Sequence, residues 1–172
     1  MALLKIVKDE YKNEDALDNV VKYVLNRYKM PSWIWGGSGI SMYAPAESMH
    51  IIKRAYDKTT GKQVEHIILA FSKKEQRLLC KEFILQVACD ICNFFWNVQV
   101  LFGVHERKNT YIADDYDEDC IHIHFVVNTV DIRSGNKFWI DHNTAAKLQS
   151  YVKTVLINNQ VSRTVQLVMD TL

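Results

Sequence analysis

Helical and strand periods alternate along the chain, with no internal repeat and no low-complexity linker. Over residues 14–28, Leu17, Val20, Val21, Val24 and Leu25 recur at the spacing of one helix face, and Pro31 stops the pattern. Residues 33–43, with Gly36, Gly37 and Gly39, read as turn-rich chain followed by a short strand. Pro45, a favoured first-turn residue, opens a second helix that ends near Thr59, before Gly61. Residues 64–71 read as a strand, and Ser72 is placed to cap the next helix. That helix, 73–95, is long and strongly apolar, which makes it the expected centre of packing. Strands follow at 98–104, ending at His105, and at 120–130, beyond a long loop. Ser134-Gly135-Asn136 turns the chain into residues 137–140 as a hairpin partner. A helix over 142–158 and a short strand over 164–169 come last. Hairpin-connected strands interspersed with helices predict an α+β fold, with an antiparallel central sheet and helices packed on one face.

Composition narrows this picture only slightly. The 172 residues fit one domain, 1–172, with enough apolar sequence for a core. A formal charge of +1 points to no polyanionic partner by itself. However, Asp114, Asp115, Asp117, Glu118 and Asp119 form one acidic run; removing those five negative charges from +1 leaves +6 on the remainder, a moderately basic surface. Such a run is ordinarily a solvated loop, but this one directly precedes a pair of histidines. Cys80, Cys89 and Cys92 fall on the helix at 73–95 and Cys120 starts the next strand, which is no disulfide framework. Cys89 and Cys92 have redox-motif spacing inside an apolar helix, and read as buried small hydrophobes. With no signal peptide, transmembrane-length run or lipidation signal, a reducing cytoplasmic setting is the default expectation.

The candidate chemistry lies in the segment from Asp119 to Asn128, where His122 and His124 alternate with Ile121, Ile123 and Phe125. Residues two apart on a strand share a face, so the imidazoles project side by side while the apolar residues face a core. An amphipathic strand with two polar-face histidines would have this sequence, and so would half a metal site. His105 ends the strand expected to lie alongside, and a third imidazole there completes a three-histidine set with open positions for water or phosphate oxygens. His50 and His142 have no such context. His66 sits mid-strand after Glu65, and its role stays open between core and phosphate-facing.

Asp119-x-x-His122-x-His124, with the hydrophobics and Asn128 after it, resembles the third motif of conjugative relaxases, the mobilisation nucleases of the HUH (histidine-hydrophobe-histidine) endonuclease superfamily that includes MobA-, MobL- and VirD2-like proteins. The residues Val20-Val21-Lys22-Tyr23-Val24-Leu25-Asn26, with Lys29, are similar to the family's first motif, which carries a tyrosine. The stretch from Gln63 to Glu75, containing His66 and Phe71-Ser72, resembles its second conserved strand. Asn128 to Asp131 and Gly135 to Phe138 resemble the stretch after the histidines. The four pieces stand in the family's order across about residues 15–140. One departs from the pattern: the family's third histidine usually lies seven residues before the pair, where this chain has Asp115. Either an insertion of about ten residues leaves His105 in the same place in space, the preferred account, or Asp115 or a neighbouring carboxylate replaces it.

The resemblance implies the palm-like HUH fold and a metal-dependent reaction. A tyrosine hydroxyl attacks one strand at an origin of transfer in plasmid or transposon DNA, keeps the 5′-phosphate as phosphotyrosine and releases a 3′-hydroxyl. Matched to the motifs, Tyr23 is the expected nucleophile, with Tyr28 its rival. His105, His122 and His124 are the expected ligands of a divalent ion, Mn²⁺ or Mg²⁺ in the cell; three imidazoles also suit Zn, Co and Ni. Asp119 is expected to orient a ligand imidazole or assist proton transfer. Lys22, Arg27 and Lys29 are the expected DNA contacts, within a basic set that includes Lys53, Arg54, Lys58 and Lys62. Trp33 and Trp35 are candidates either for stacking on unpaired bases or for packing. The expected partners are single-stranded or hairpin DNA at an origin of transfer, and accessory relaxosome proteins. Two alternatives stand beside this reading: a single-strand-binding module on the same fold with catalysis lost, and a rolling-circle replication initiator. In the latter the tyrosine usually follows the histidines, as Tyr151 does here.

Overall fold

In the computed structural model, residues 1–8, 10–106 and 120–169 are described. Their strands are β1 (Ala2–Val7), β2 (Trp35–Ser38), β3 (Val64–Ala70), β4 (Val98–His105), β5 (His122–Asp131) and β6 (Val165–Met169). Their helices are α1 (Ala16–Val24), α2 (Pro45–Ala55), α3 (Lys73–Gln76), α4 (Lys81–Cys92) and α5 (His142–Asn158). The strands form one sheet in the order β2-β4-β5-β3-β1-β6. Every pair is antiparallel except β1 with β6, which is parallel, so the sheet is mixed. The α+β expectation stands, with that one pair added.

Helices cover both faces of the sheet, where one had been expected. On one face, Ile67, Leu69, Phe102, Val104, Ile123, Phe125 and Val127 pack against α4 and α5. On the other, Leu101 and Val126 meet α1 through Leu17, Val20, Val21 and Val24, with Met49 of α2. The period-2 alternation of β5 explains why. Its odd residues Ile123, Phe125 and Val127 bury among hydrocarbon, and its even residues, His122, His124, Val126 and Asn128, face the thinner α1–α2 layer. The valine and leucine stripe of α1 is what holds this layer down, each such side chain contributing about 1.5–3 kcal/mol on burial.

Two elements and one cysteine differ most from their sequence expectations, beyond the earlier ends of α1 and α2. The apolar run at 73–95 is not one helix: α3 is a single turn in which the Ser72 backbone N–H donates to Glu75 Oε2 at 2.9 Å, and Cys80 is extended (φ −98°, ψ 170°) before α4 begins. The chain turns at residues 132–134, but residues 137–140 make one bridge and no strand. The Asp131 N–H donates to Asn136 O at 2.9 Å and Val130 bridges Lys137. The Lys137 ammonium is then held by the Thr60 carbonyl at 2.9 Å, which draws the chain off the sheet. Finally, Cys92 is buried, as expected of the pair, but Cys89 is exposed. Burial pushes the Cys92 thiol up to about 12, which keeps it protonated and fits packing better than redox chemistry.

Candidate active site

The three expected ligand histidines come together because β4 and β5 are paired in register. His105 lies opposite His122, and Gly103 opposite His124. Ring centroids are 4.2 Å apart for His105 and His124, 5.0 Å for His122 and His124, and 5.3 Å for His105 and His122. One nitrogen from each ring falls in a group whose members all lie within 4.8 Å of one another, so the triad can hold a metal ion.

The outer edges of the rings are already fixed. His105 Nε2 donates to the Val24 carbonyl at 2.9 Å, and His122 Nδ1 donates to the Cys120 carbonyl at 2.7 Å. His124 Nδ1 shares a hydrogen bond of 2.9 Å with His66 Nε2, and His66 Nδ1 meets the Tyr11 hydroxyl at 3.1 Å. These contacts set the tautomers. The Nδ1 of His105 and the Nε2 of His122 are buried and take no partner among the described residues. An orphaned buried polar atom costs about 1–3 kcal/mol, and two beside each other on one face fit a shared cation. Burial also lowers the basicity of the rings, holding His105 and His122 down to about 4 and His124 well below the ordinary histidine range. The imidazoles are therefore neutral, the form that ligates metals.

His66, whose role the sequence left open, stacks on His124 with centroids 5.1 Å apart. It lies in the stretch that resembles the second motif, which gave it no role. Its trace in the sequence is a polar side chain next to Glu65, just ahead of the apolar run from Ile67 to Ala70 and on the same strand face as Ile68.

Tyr23 stands over this group. Its ring centroid is 5.3 Å from that of His124 and 5.4 Å from that of His105, and the Lys29 ammonium lies 3.9 Å from the ring centre. Burial lowers the Lys29 pKa. The close seat of α1 depends on Gly103: a Cβ there would lie 2.8 Å from Val24 Cγ1 and 2.9 Å from the Val24 carbonyl oxygen. Tyr28 lies in a 3₁₀ turn begun by Asn26, whose side chain accepts from the Tyr28 N–H at 3.0 Å, and its side chain is 81% exposed. Tyr151 packs on Phe94 on the opposite face of the sheet and donates to the Asp90 carbonyl at 3.1 Å.

The other expected contacts are divided. The Arg27 guanidinium covers the Trp33 ring at 4.3 Å, and Trp33 meets Trp35 edge-on at 6.1 Å, so cation and aromatics form one patch beyond Lys29. Lys22 instead lines a groove with Val21, Leu25 and Glu47, between α1 and α2. Lys53 does not belong to a basic surface. It is buried, and its ammonium donates to the Gln63 carbonyl at 2.7 Å and to Thr129 Oγ1 at 3.0 Å. Arg54 and Lys62 pair with Glu47 and Glu65. Asp119, Asp115 and the rest of the acidic run lie outside the described residues.

Comparison with known proteins agrees with this geometry. No curated protein sequence matches the chain. Among solved structures, the chain is similar to the conjugative relaxase TrwC in complex with oriT DNA, in a copper-bound structure. The TM-score is 0.54 at 11% identity, over 93% of this chain and 70% of that one, a likeness of fold. Residues 23–160 match the family described as relaxase, MobA/VirD2-like, nuclease domain. With most of its length inside that match, and the histidine triad on the paired strands β4 and β5, the chain belongs to the MobA/VirD2-like relaxases.

Proposed function

We propose that this domain nicks one DNA strand at an origin of transfer through Tyr23, with His105, His122 and His124 holding a divalent ion. The observation that carries the reading is the position of the Tyr23 ring against His105 and His124, under Lys29. When bound, the ion would supply a Lewis acid to a phosphoryl oxygen. The Tyr23 oxygen forms a bond to phosphorus as the bond from phosphorus to the 3′-oxygen breaks, and the departing oxygen takes a proton to become the 3′-hydroxyl. A free tyrosine has a pKa of about 10, so attack at neutral pH needs help. Lys29 provides a positive charge beside the phenol as its oxygen gives up the proton. Asp119, three residues before His122, is the candidate to receive that proton or to orient an imidazole. His66 fixes the ring of His124 from behind. The phosphotyrosine keeps the energy of the broken bond, so the strand can be resealed without another source.

Lys29, against the tyrosine, and Arg27, over Trp33, would neutralise backbone phosphates, with Trp33 and Trp35 as stacking surfaces; Lys22 would engage more distant backbone. The substrate is therefore single-stranded or hairpin DNA, with accessory relaxosome proteins presenting the origin. The reaction belongs in the cytoplasm, where the four cysteines stay as thiols, and the domain extends over residues 1–172. The test is to incubate the protein with labelled single strands spanning candidate origins, with Mn²⁺, Mg²⁺ or EDTA, and to map the adducted residue. A metal-dependent adduct on Tyr23 is expected. Tight binding of the strand without any adduct would favour a binding module.

A further inference from the structure

Beside Tyr23, a cavity of about 250 Å³ opens between α1 and the segment that precedes it. Its walls are Tyr11, Asn13, Ala16, Asn19, Val20, Tyr23 and His66. Its chemistry differs from that of the rest of the site. None of these described lining residues is a lysine or arginine, so the cavity is poorly suited to a phosphate. It offers instead two exposed carboxamides, each with donors and an acceptor, together with an aromatic ring and the apolar surface of Ala16 and Val20. Carboxamides read the hydrogen-bonding edge of a base, and an aromatic ring stacks on its face.

A second observation concerns the wall itself. Tyr11 is held with φ +39°, a conformation uncommon for a residue with a side chain. It is fixed there at both ends: its carbonyl accepts from the Gln63 N–H at 2.9 Å, and its hydroxyl meets His66 Nδ1 at 3.1 Å. Strain of this kind persists where surrounding contacts over-determine it, and it gathers at ligand sites.

We infer that this cavity takes the base of the nucleotide directly 3′ of the nick, the one whose 5′-phosphate becomes bonded to Tyr23. This rests on the reading of Tyr23 as nucleophile, because it is Tyr23 that ties that nucleotide to the mouth of the cavity. With the phosphate over the histidines, the attached sugar and base leave by the adjoining opening, where Asn13 and Asn19 face the base edge and Tyr11 its plane. The cavity sets preference at that one position, and the cationic and indole patch around Arg27 holds strand elsewhere.

The experiment uses the full chain and an origin strand whose nick has been mapped through its adduct. In the Tyr23→Phe protein, which leaves the strand uncut, 2-aminopurine is placed at the nucleotide 3′ of the nick or, as a control, at the nucleotide 5′ of it. Binding should quench the 3′ probe and leave the 5′ probe much less affected. For cleavage, an abasic site at the 3′ position should raise KM by about tenfold or more in the unaltered protein, the loss expected for one stacked base. Asn19→Trp, which fills the cavity mouth from an exposed position, should show the higher KM on the intact strand and no further loss on the abasic one. Asn19→Ala should widen the choice of base at that position without preventing adduct formation. An adduct on Tyr23 with equal quenching at both positions, or with an undiminished abasic penalty in Asn19→Trp, overturns the cavity assignment and leaves the nicking reading in place. Absence of any Tyr23 adduct overturns both.

Discussion

Tyr23 and Tyr28 are five residues apart, yet one ring faces three imidazoles and the other is exposed to solvent. Tyr23→Phe removes only a hydroxyl, so adduct formation should disappear while strand affinity and thermal stability change little. Tyr28→Phe should leave both unchanged. An adduct persisting in Tyr23→Phe would move the nucleophile elsewhere. The proposed metal ligands make a second expectation. His122→Ala should abolish calorimetrically measured Mn²⁺ binding and nicking while the far-ultraviolet dichroism stays native, since this ring serves the site more than the core. His66→Leu keeps His105, His122 and His124 and removes the hydrogen bonds that His66 makes to His124 Nδ1 and to the Tyr11 hydroxyl. Outer partners of ligand histidines typically contribute about 10–100-fold in metal affinity. His66→Leu should therefore weaken Mn²⁺ binding by about that factor, and unchanged affinity would reduce His66 to a packing residue.

At the level of elements, the approach of α1 to the sheet is set by the absence of a side chain at Gly103. Gly103→Val should lift α1, cost about 1–3 kcal/mol in urea denaturation, and slow single-turnover nicking by about a hundredfold, because displacements near 1 Å are that costly to aligned attack. A wild-type rate would mean that Tyr23 is not placed by this contact. Lys53 ties α2 to β5, and burial, with Lys137 nearby, pushes its ammonium down from the ordinary 10.5 to about 7. Below about pH 7 the proton is bound in both folded and unfolded chains, and the full burial penalty is felt. Between there and 10.5 the unfolded chain holds more protons, so stability should rise with pH, by about 1–2 kcal/mol from pH 7 to 9. In Lys53→Met that rise should be largely lost in denaturation curves measured across the same range. Lys53 also shows where sequence reading reached its limit. Charge and helical position put it on a basic surface, whereas the carbonyl of Gln63 and hydroxyl of Thr129 that bury it come from distant chain. The histidine strand, α1, α2 and α5 were legible because each carries its own period and stop signals. Strand β1 is not legible in the sequence, since Ala2 to Val7 is buried on both faces and shows no alternation. The break before α4 was hidden too: Arg77-Leu78-Leu79-Cys80 contains no glycine or proline, and the apolar period runs straight across it. The triad was legible as a pair plus one, because strand spacing gave His122 and His124; the placing of His105 needed the register of β4 against β5.

For the molecule as a whole, binding to a single strand should weaken steeply with salt, since each phosphate contact adds about 0.7 to the slope of log K against log salt. Arg27→Ala and Lys29→Ala should each lower that slope by about this amount in fluorescence titrations; a slope near zero in the unaltered protein would rule out a backbone-tracking groove. The order of strands has a separate consequence, for how the chain folds during synthesis. Everything described that surrounds the triad, namely α1, β3, β4 and β5, lies before residue 132. The parallel partner of β1 is β6, at Val165–Met169. At the usual 5–20 residues per second, the outer edge of β1 waits about 2–8 s after β5 leaves the ribosome before that partner exists. Pairing over so long a separation is also slow by its own entropy. The nascent chain thus passes through a stage in which the chemistry is already assembled and one sheet edge is bare, open to another nascent strand or to a chaperone.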